Sequence, residues 1–322
     1  MQSREYKNYW IWAFVYATIY VFLIPWVDIL GREFADTANY IFRIVYIQEG
    51  GKEAEITGIK ILFSEPIWRG ILYLLGITFN DYRFALYVIS FIAMVLYGSF
   101  FFRRVEWYVV MLLLLNPMSV NLFIEQVRIT LAFGILLFAY DLSSRYIKII
   151  LAIVAFFIHS SMPIFIGVYF ILYYYNSRVE PRKYYFISLV VALAIALFMK
   201  FGLDAILFAI GDRHAGYGNI SAGSSIAYSI VWFMIAFIIS TFGDFHNSQE
   251  RIIAGYAIVF MSFFFFASIL GVFAQRYVAV IMPIIVIAIG YIENRHIKFW
   301  VYIFMFLYIL LMFKYWLELV LM

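Results

Sequence analysis

The stretch Pro66-Ile-Trp-Arg-Gly-Ile-Leu-Tyr-Leu-Leu-Gly-Ile-Thr-Phe79 decides how the rest of the chain is laid out. A helix needs about 20 apolar residues to cross the hydrocarbon layer, and this run has 14. Counted as a full span, it would put the Arg103/Arg104 pair outside and invert everything after it. Read as a re-entrant or interfacial helix, it leaves the basic residues of the short loops on one side, as the positive-inside tendency requires. The second reading is adopted.

Working outward, the other apolar runs read as spans at 9–30, 84–102, 107–124, 127–141, 146–159, 161–175, 185–201, 226–242, 252–272, 277–292 and 298–317. The expected fold class is therefore all-α: a polytopic integral membrane protein of about 11 transmembrane helices plus the short helix near 66–79. Hydrophobic residues make up 66% of the chain and charged residues 13%, which suits a protein whose solvent is lipid. With a cytoplasmic N-terminus, Arg4, Lys7, Arg103, Arg104, Arg145, Lys148, Arg178, Arg182, Lys183, Arg251, Arg295 and Lys298 all fall inside. The first run is too long for a typical signal-peptide core and lacks a small-residue cleavage site, so it is read as a span.

A single transmembrane domain, 1–322, is expected, with two outside connections within it. Residues 31–65 hold six of the 19 acidic side chains and have some helical character; residues 202–224 begin apolar and become polar and glycine-rich. Long connections of this kind are often binding elements.

This layout brings scattered polar residues to the outer face: Arg128, His159 and Arg276 near the ends of spans, Arg213 and His214 in the second outside connection, and Asp36 in the first. Arg128 is read either as an interfacial arginine paired with Glu125 or as a guanidinium that holds a phosphate through two parallel hydrogen bonds. Gln275-Arg276-Tyr277 repeats the arrangement near the C-terminus, as a headgroup anchor or as a clamp on a diphosphate or sugar ring. His159 is a helix-end cap or, by its near-neutral titration, a general base; His214 is a second candidate beside Arg213. Asp36 is an N-cap or a carboxylate that activates a hydroxyl, and Glu65 is another possible carboxylate.

Several classes are excluded. No glycine-rich phosphate loop is present, which argues against ATP hydrolysis. Without cysteine and without HExxH or Asp-Xaa-Asp spacing, no metal site is expected. The 27 tyrosines and 36 phenylalanines are read as lipid-facing and interfacial side chains, not a nucleic-acid stacking surface.

Glu125-Gln126-Val127-Arg128-Ile129-Thr130-Leu131-Ala132, continuing to Ile158-His159-Ser160-Ser161, resembles the Arg-containing helix start and the later His-Xaa-Ser turn of the Wzy-type polysaccharide polymerases, particularly their EpsG-like branch. Asp36-Thr37-Ala38-Asn39-Tyr40 is similar to an early Asp-Thr-Xaa-Xaa-Tyr element, and Gln275-Arg276-Tyr277 to a late Arg-Tyr element. The family commonly shows Arg-Gln where this chain has Gln126-Val127-Arg128.

The resemblance implies a GT-C-like polymerase/ligase bundle in the bacterial inner membrane, active on the periplasmic side. It further implies a glycosyltransferase that joins undecaprenyl-diphosphate-linked oligosaccharide repeat units without a cofactor. The expected partners are that lipid-linked donor, membrane lipid, a chain-length regulator and a flippase. On this reading Arg128, Arg276, Arg213, Gln126, Tyr277, Tyr40 and His214 bind the diphosphate or substrate, and His159 or Asp36 takes the acceptor's proton. Two rival readings are a flippase or transporter of lipid-linked oligosaccharide and a lipid-linked glycan ligase. A transporter should carry charges through the membrane depth, whereas these gather near one face.

Overall fold

The computed structural model describes residues 8–31, 33–50, 64–106, 109, 116–203, 205–206, 226–245 and 247–321. Among them the regular elements are all helical, joined only by an isolated bridge between Gly243 and Ile292. The chain forms two compact units, residues 1–163 with 308–322, and residues 164–307.

The first unit begins with α1 (Tyr9–Thr18), which widens into a π turn at Ile19–Leu23 and ends before Pro25; α2 (Trp26–Leu30) follows. The expected span 9–30 is thus broken, because Pro25 has no N–H to continue the ladder. Next come α3 (Ala35–Gln48), α4 (Pro66–Thr78) and α5 (Tyr82–Phe102). Asp81 caps α5, accepting from the N–H groups of Arg83 at 2.9 Å and Phe84 at 3.2 Å, which satisfies two of the donors every helix start leaves open.

The short α6 (Pro117–Val120) runs into a π turn at Asn121–Glu125. The chain then bends by 98° at Gln126 into α7 (Val127–Asp141). Thr130 Oγ1 lies 2.7 Å from the Leu122 carbonyl and 2.8 Å from that of Gln126, so its hydroxyl serves backbone groups that the break releases. The helix α8 (Arg145–Ile158) ends at His159, whose extended backbone (φ −145°, ψ 123°) stops the helical ladder.

Packing within this unit follows from small and apolar residues at helical spacing. Helix α1 lies along α5, α7 packs on both α5 and α8, and α4 packs on α3 and α8. Gly98 lets α1 approach: a Cβ there would sit 2.9 Å from the Ala13 Cβ. Such small-residue contacts let helices meet closely where lipid supplies no hydrophobic driving force. On α4, Trp68, Leu72, Leu75 and Gly76 form the buried face, while Tyr73, Leu74 and Ile77 are exposed. A helix apolar on both faces suits an apolar surrounding. Its 13 residues keep it below full span length.

At the end of this bundle reached by α5 and α7, basic side chains meet one carboxylate. Arg104 binds both Asp141 oxygens and donates to the Phe100 carbonyl at 3.0 Å, with Arg103 3.8 Å from Asp141. Lys148 donates to the Tyr140 carbonyl at 3.0 Å.

The second unit takes in most of α9 (Met162–Asn176), α10 (Pro181–Leu197, extended by a π turn at Phe198–Gly202), α11 (Ile226–Phe242), α12 (Ser248–Ile269), α13 (Gln275–Val280), α14 (Met282–Gly290) and the first half of α15 (Arg295–Leu321). Helix α12 is its centre, packed by α10, α11 and α14 and capped by Asn247, which accepts from the Glu250 N–H at 2.9 Å. The expected span 277–292 is interrupted at Ile281, one residue before Met282-Pro283 restarts the helix, a proline position compatible only with a first turn.

Among the described residues, Tyr82–Phe102, Pro181–Gly202, Ser248–Ile269 and Arg295–Lys314 suffice by length and composition to cross a membrane; Pro117–Glu125 with Val127–Asp141, bent by 98°, is a broken span or a re-entrant loop. Shorter apolar helices cover Tyr9–Leu23, Met162–Asn176 and Ile226–Phe242. The chain is a helical, multi-pass membrane protein.

Candidate functional site

Glu65 is the one charged side chain among the buried residues described, 8% exposed. Its backbone sits in the left-handed region, φ 55° and ψ 57°. Pro66 at the start of α4 disfavours the right-handed helical region for the residue before it. A non-glycine residue in the left-handed region costs about 1–2 kcal/mol, so the contacts Glu65 makes must hold it there.

Those contacts come from two other elements. Arg128, in the first turn of α7, donates from Nη1 to Glu65 Oε2. Ser160, in the turn after α8, donates to Oε1 from its backbone N–H at 3.0 Å and from Oγ at 3.2 Å. His159 Nδ1 lies 3.9 Å from the same oxygen, too long for a hydrogen bond. Instead Nδ1 accepts from the Ser161 N–H at 3.1 Å and contacts Ser161 Oγ at 3.0 Å. An acceptor at Nδ1 places the proton of the neutral ring on Nε2. Arg128 Nε and Gln126 Oε1 are buried without a protein partner among the described residues.

Three helix ends thus converge on one carboxylate, each for a local reason: Pro66 starts α4, the break at Gln126 starts α7, and His159 ends α8. The interhelical ion pair replaces the Glu125 partner considered for Arg128. Glu65 was legible only as one more carboxylate, and Ser160 only as part of the His-Xaa-Ser turn. The sequence signal for both was weak: an acid directly before proline, and a serine after a helix-ending histidine.

The remaining candidates fall as follows. Tyr40 is buried on α3 and meets Trp68 of α4 edge-on, ring centroids 5.4 Å apart, which ties α3 to the helix that Glu65 precedes. Asp36 lies one turn earlier on α3, in its first turn; Phe34, not Asp36, is at the N-cap position. In the second unit, Arg276 is exposed with its guanidinium 5.7 Å from the Phe273 ring centre. Tyr277 lies against Phe165, Phe260 and Phe263 at 5.6, 6.4 and 5.3 Å. Arg213 and His214 lie outside the described residues. No group of three or more histidine, aspartate or glutamate side chains able to hold a metal occurs among the described residues.

A family model matches residues 14–321, described as the EpsG family. The chain belongs to the EpsG family. EpsG proteins are Wzy-like, polymerase-type membrane proteins of polysaccharide biosynthesis, and the match spans both compact units. No curated protein and no solved structure matches the chain. Within this EpsG chain, the ion pair of half-buried Arg128 and buried Glu65 stands beside the His159–Ser160 turn.

Proposed function

We propose that this EpsG-family chain is a polysaccharide polymerase that joins undecaprenyl-diphosphate-linked oligosaccharide repeat units at the periplasmic face of the bacterial inner membrane. The observation that carries the reading is the convergence of Arg128, Glu65 and the His159–Ser160 turn at the ends of three helices.

In the proposed step the acceptor sugar's hydroxyl oxygen attacks the anomeric carbon of the donor. The bond from that carbon to the diphosphate oxygen breaks, and the electron pair leaves with the lipid diphosphate. Arg128 stabilises the charge that develops on the leaving oxygen. The acceptor proton goes to His159 or Asp36. For His159, Nε2 becomes basic only when the ring proton sits on Nδ1, which requires the Ser161 N–H to release its hydrogen bond to that atom. Gln126 and Tyr40 stand near this cluster in sequence and packing. Arg276, Tyr277, Arg213 and His214 are assigned to the substrate by the family resemblance alone.

The proposal includes a single GT-C-like domain of eleven spans, with a cytoplasmic N-terminus. In it the connections 31–65 and 202–224 face the periplasm and select the glycan. Support for the orientation comes from the first unit: Glu65, Arg128 and Ser160 gather where the layout expects the outside, and Arg103, Arg104, Asp141 and Lys148 gather where it expects the cytoplasm.

The test is the glycan profile of a strain lacking the gene, with and without the gene restored. A polymerase predicts loss of the polymer ladder, with single repeat units persisting on the periplasmic side. Single units confined to the cytoplasmic face would identify a flippase and overturn the reading. A full ladder of unattached polymer would identify a ligase and overturn it equally.

A further inference from the structure

The donors gathered on Glu65 are of a kind that phosphate oxygens use: a guanidinium N–H, a backbone N–H and a hydroxyl. Arg128 Nη1 serves one carboxylate oxygen, and the Ser160 N–H and Oγ serve the other, at 3.0 and 3.2 Å. Glu65 carries the only charge among the described buried residues, and it does so in a backbone conformation with φ 55° that an L-residue rarely adopts. The Arg128–Glu65 pair is neutral overall. A diphosphate brought to Arg128 with Glu65 still in place would gain little from the arginine and would meet a like charge.

We propose that Glu65 is an internal stand-in for an oxygen of the lipid diphosphate. Donor binding displaces the carboxylate, and Arg128 Nη1 with the Ser160 N–H and Oγ then holds the diphosphate. Ser160 thereby becomes a ligand of the donor, and the free protein keeps the half-buried Arg128 neutralised until the donor arrives. The left-handed backbone at Glu65 helps the exchange, because release of the side chain also permits release of that conformation. The inference rests on the polymerase reading.

The experiment is the affinity of the purified full-length protein, in detergent micelles, for undecaprenyl diphosphate. Wild type, Arg128→Ala, Glu65→Gln and Glu65→Asp are compared. Removing an internal competitor tightens binding, so Glu65→Gln is expected to bind about tenfold more tightly than wild type, the span of one decade in Kd. Arg128→Ala is expected to bind at least about tenfold more weakly. Glu65→Asp keeps the charge, and with it the best prospect of a native fold, but is one methylene too short to reach both partners. It should fall between wild type and Glu65→Gln, and it decides the matter alone if Glu65→Gln does not fold.

Unchanged or weaker binding by the Glu65 variants, with wild type binding and Arg128→Ala defective, would make Glu65 a strut for Arg128. That result overturns the inference and leaves the polymerase reading standing. Wild-type affinity in Arg128→Ala would remove the site from diphosphate binding and overturn the inference. Binding by none of the four proteins would overturn the polymerase reading itself.

Discussion

Arg128 shows how far a single residue can be read. An arginine near the outer end of an apolar run implies a polar partner or ligand, because intramembrane charges face the protein interior or a polar cavity. Its partner was not legible: Glu125 is three positions away, whereas Glu65 is 63 residues away in sequence and meets Arg128 only through the packing of three helices. The chemistry of the pair separates charge from geometry. Arg128→Ala is expected to insert normally and to leave single repeat units in place of polymer. Arg128→Lys keeps the charge but loses the planar fork, and is expected to restore no more than about a tenth of the polymer, the loss of one charge-assisted hydrogen bond at about 1.5–3 kcal/mol. Both are read on a glycan gel normalised to protein in the membrane. Polymer at wild-type level with lysine would show that positive charge alone suffices.

Helices were legible from apolar composition because a segment in lipid must satisfy its own backbone. Val127–Asp141 and Ile226–Phe242 match the expected limits. Breaks were less visible. Pro25 and Pro283 mark two of them, but the 98° bend at Gln126 carries no proline and depends on the π turn before it, which local sequence does not announce.

Two contacts test what holds these elements. Trp68 is 0% exposed beneath α3, and Trp68→Ala should destabilise by about 3–5 kcal/mol through lost packing. Its Nε1 has no hydrogen-bond partner among the described residues, so Trp68→Phe should cost clearly less. Gly98→Leu brings a side chain onto Ala13, whose Cβ and Cα lie 2.9 and 3.1 Å from the new Cβ position. Overpacking of about 1–3 kcal/mol outweighs the helix-propensity gain of at most about 1 kcal/mol. Thermal unfolding of the detergent-extracted variants checks both, and a Trp68→Ala protein as stable as wild type would remove α4 from the bundle's support.

At the scale of the whole molecule the deciding question is the side on which α4 begins and ends. The chain contains no cysteine, so single cysteines report without interference. The re-entrant arrangement puts Ser64→Cys and Asn80→Cys on the same, periplasmic side, both modified by a membrane-impermeant maleimide in intact spheroplasts. Modification of one only would make α4 a span and invert the segments after it.

Composition and the apolar runs determined by themselves that this is a helical membrane protein and where most helices lie. These properties follow from the match between local sequence and lipid, and local sequence is sufficient to express them. Only the tertiary structure decided that Glu65 is buried in a left-handed conformation, that it takes Arg128 and Ser160 as partners, and that Ser161 occupies His159 Nδ1. The long-range contacts join helix ends distant in the chain, and their pairing depends on helix packing, which no local pattern encodes. The His159 tautomer depends on a hydrogen bond whose geometry exists only once the turn after α8 has formed.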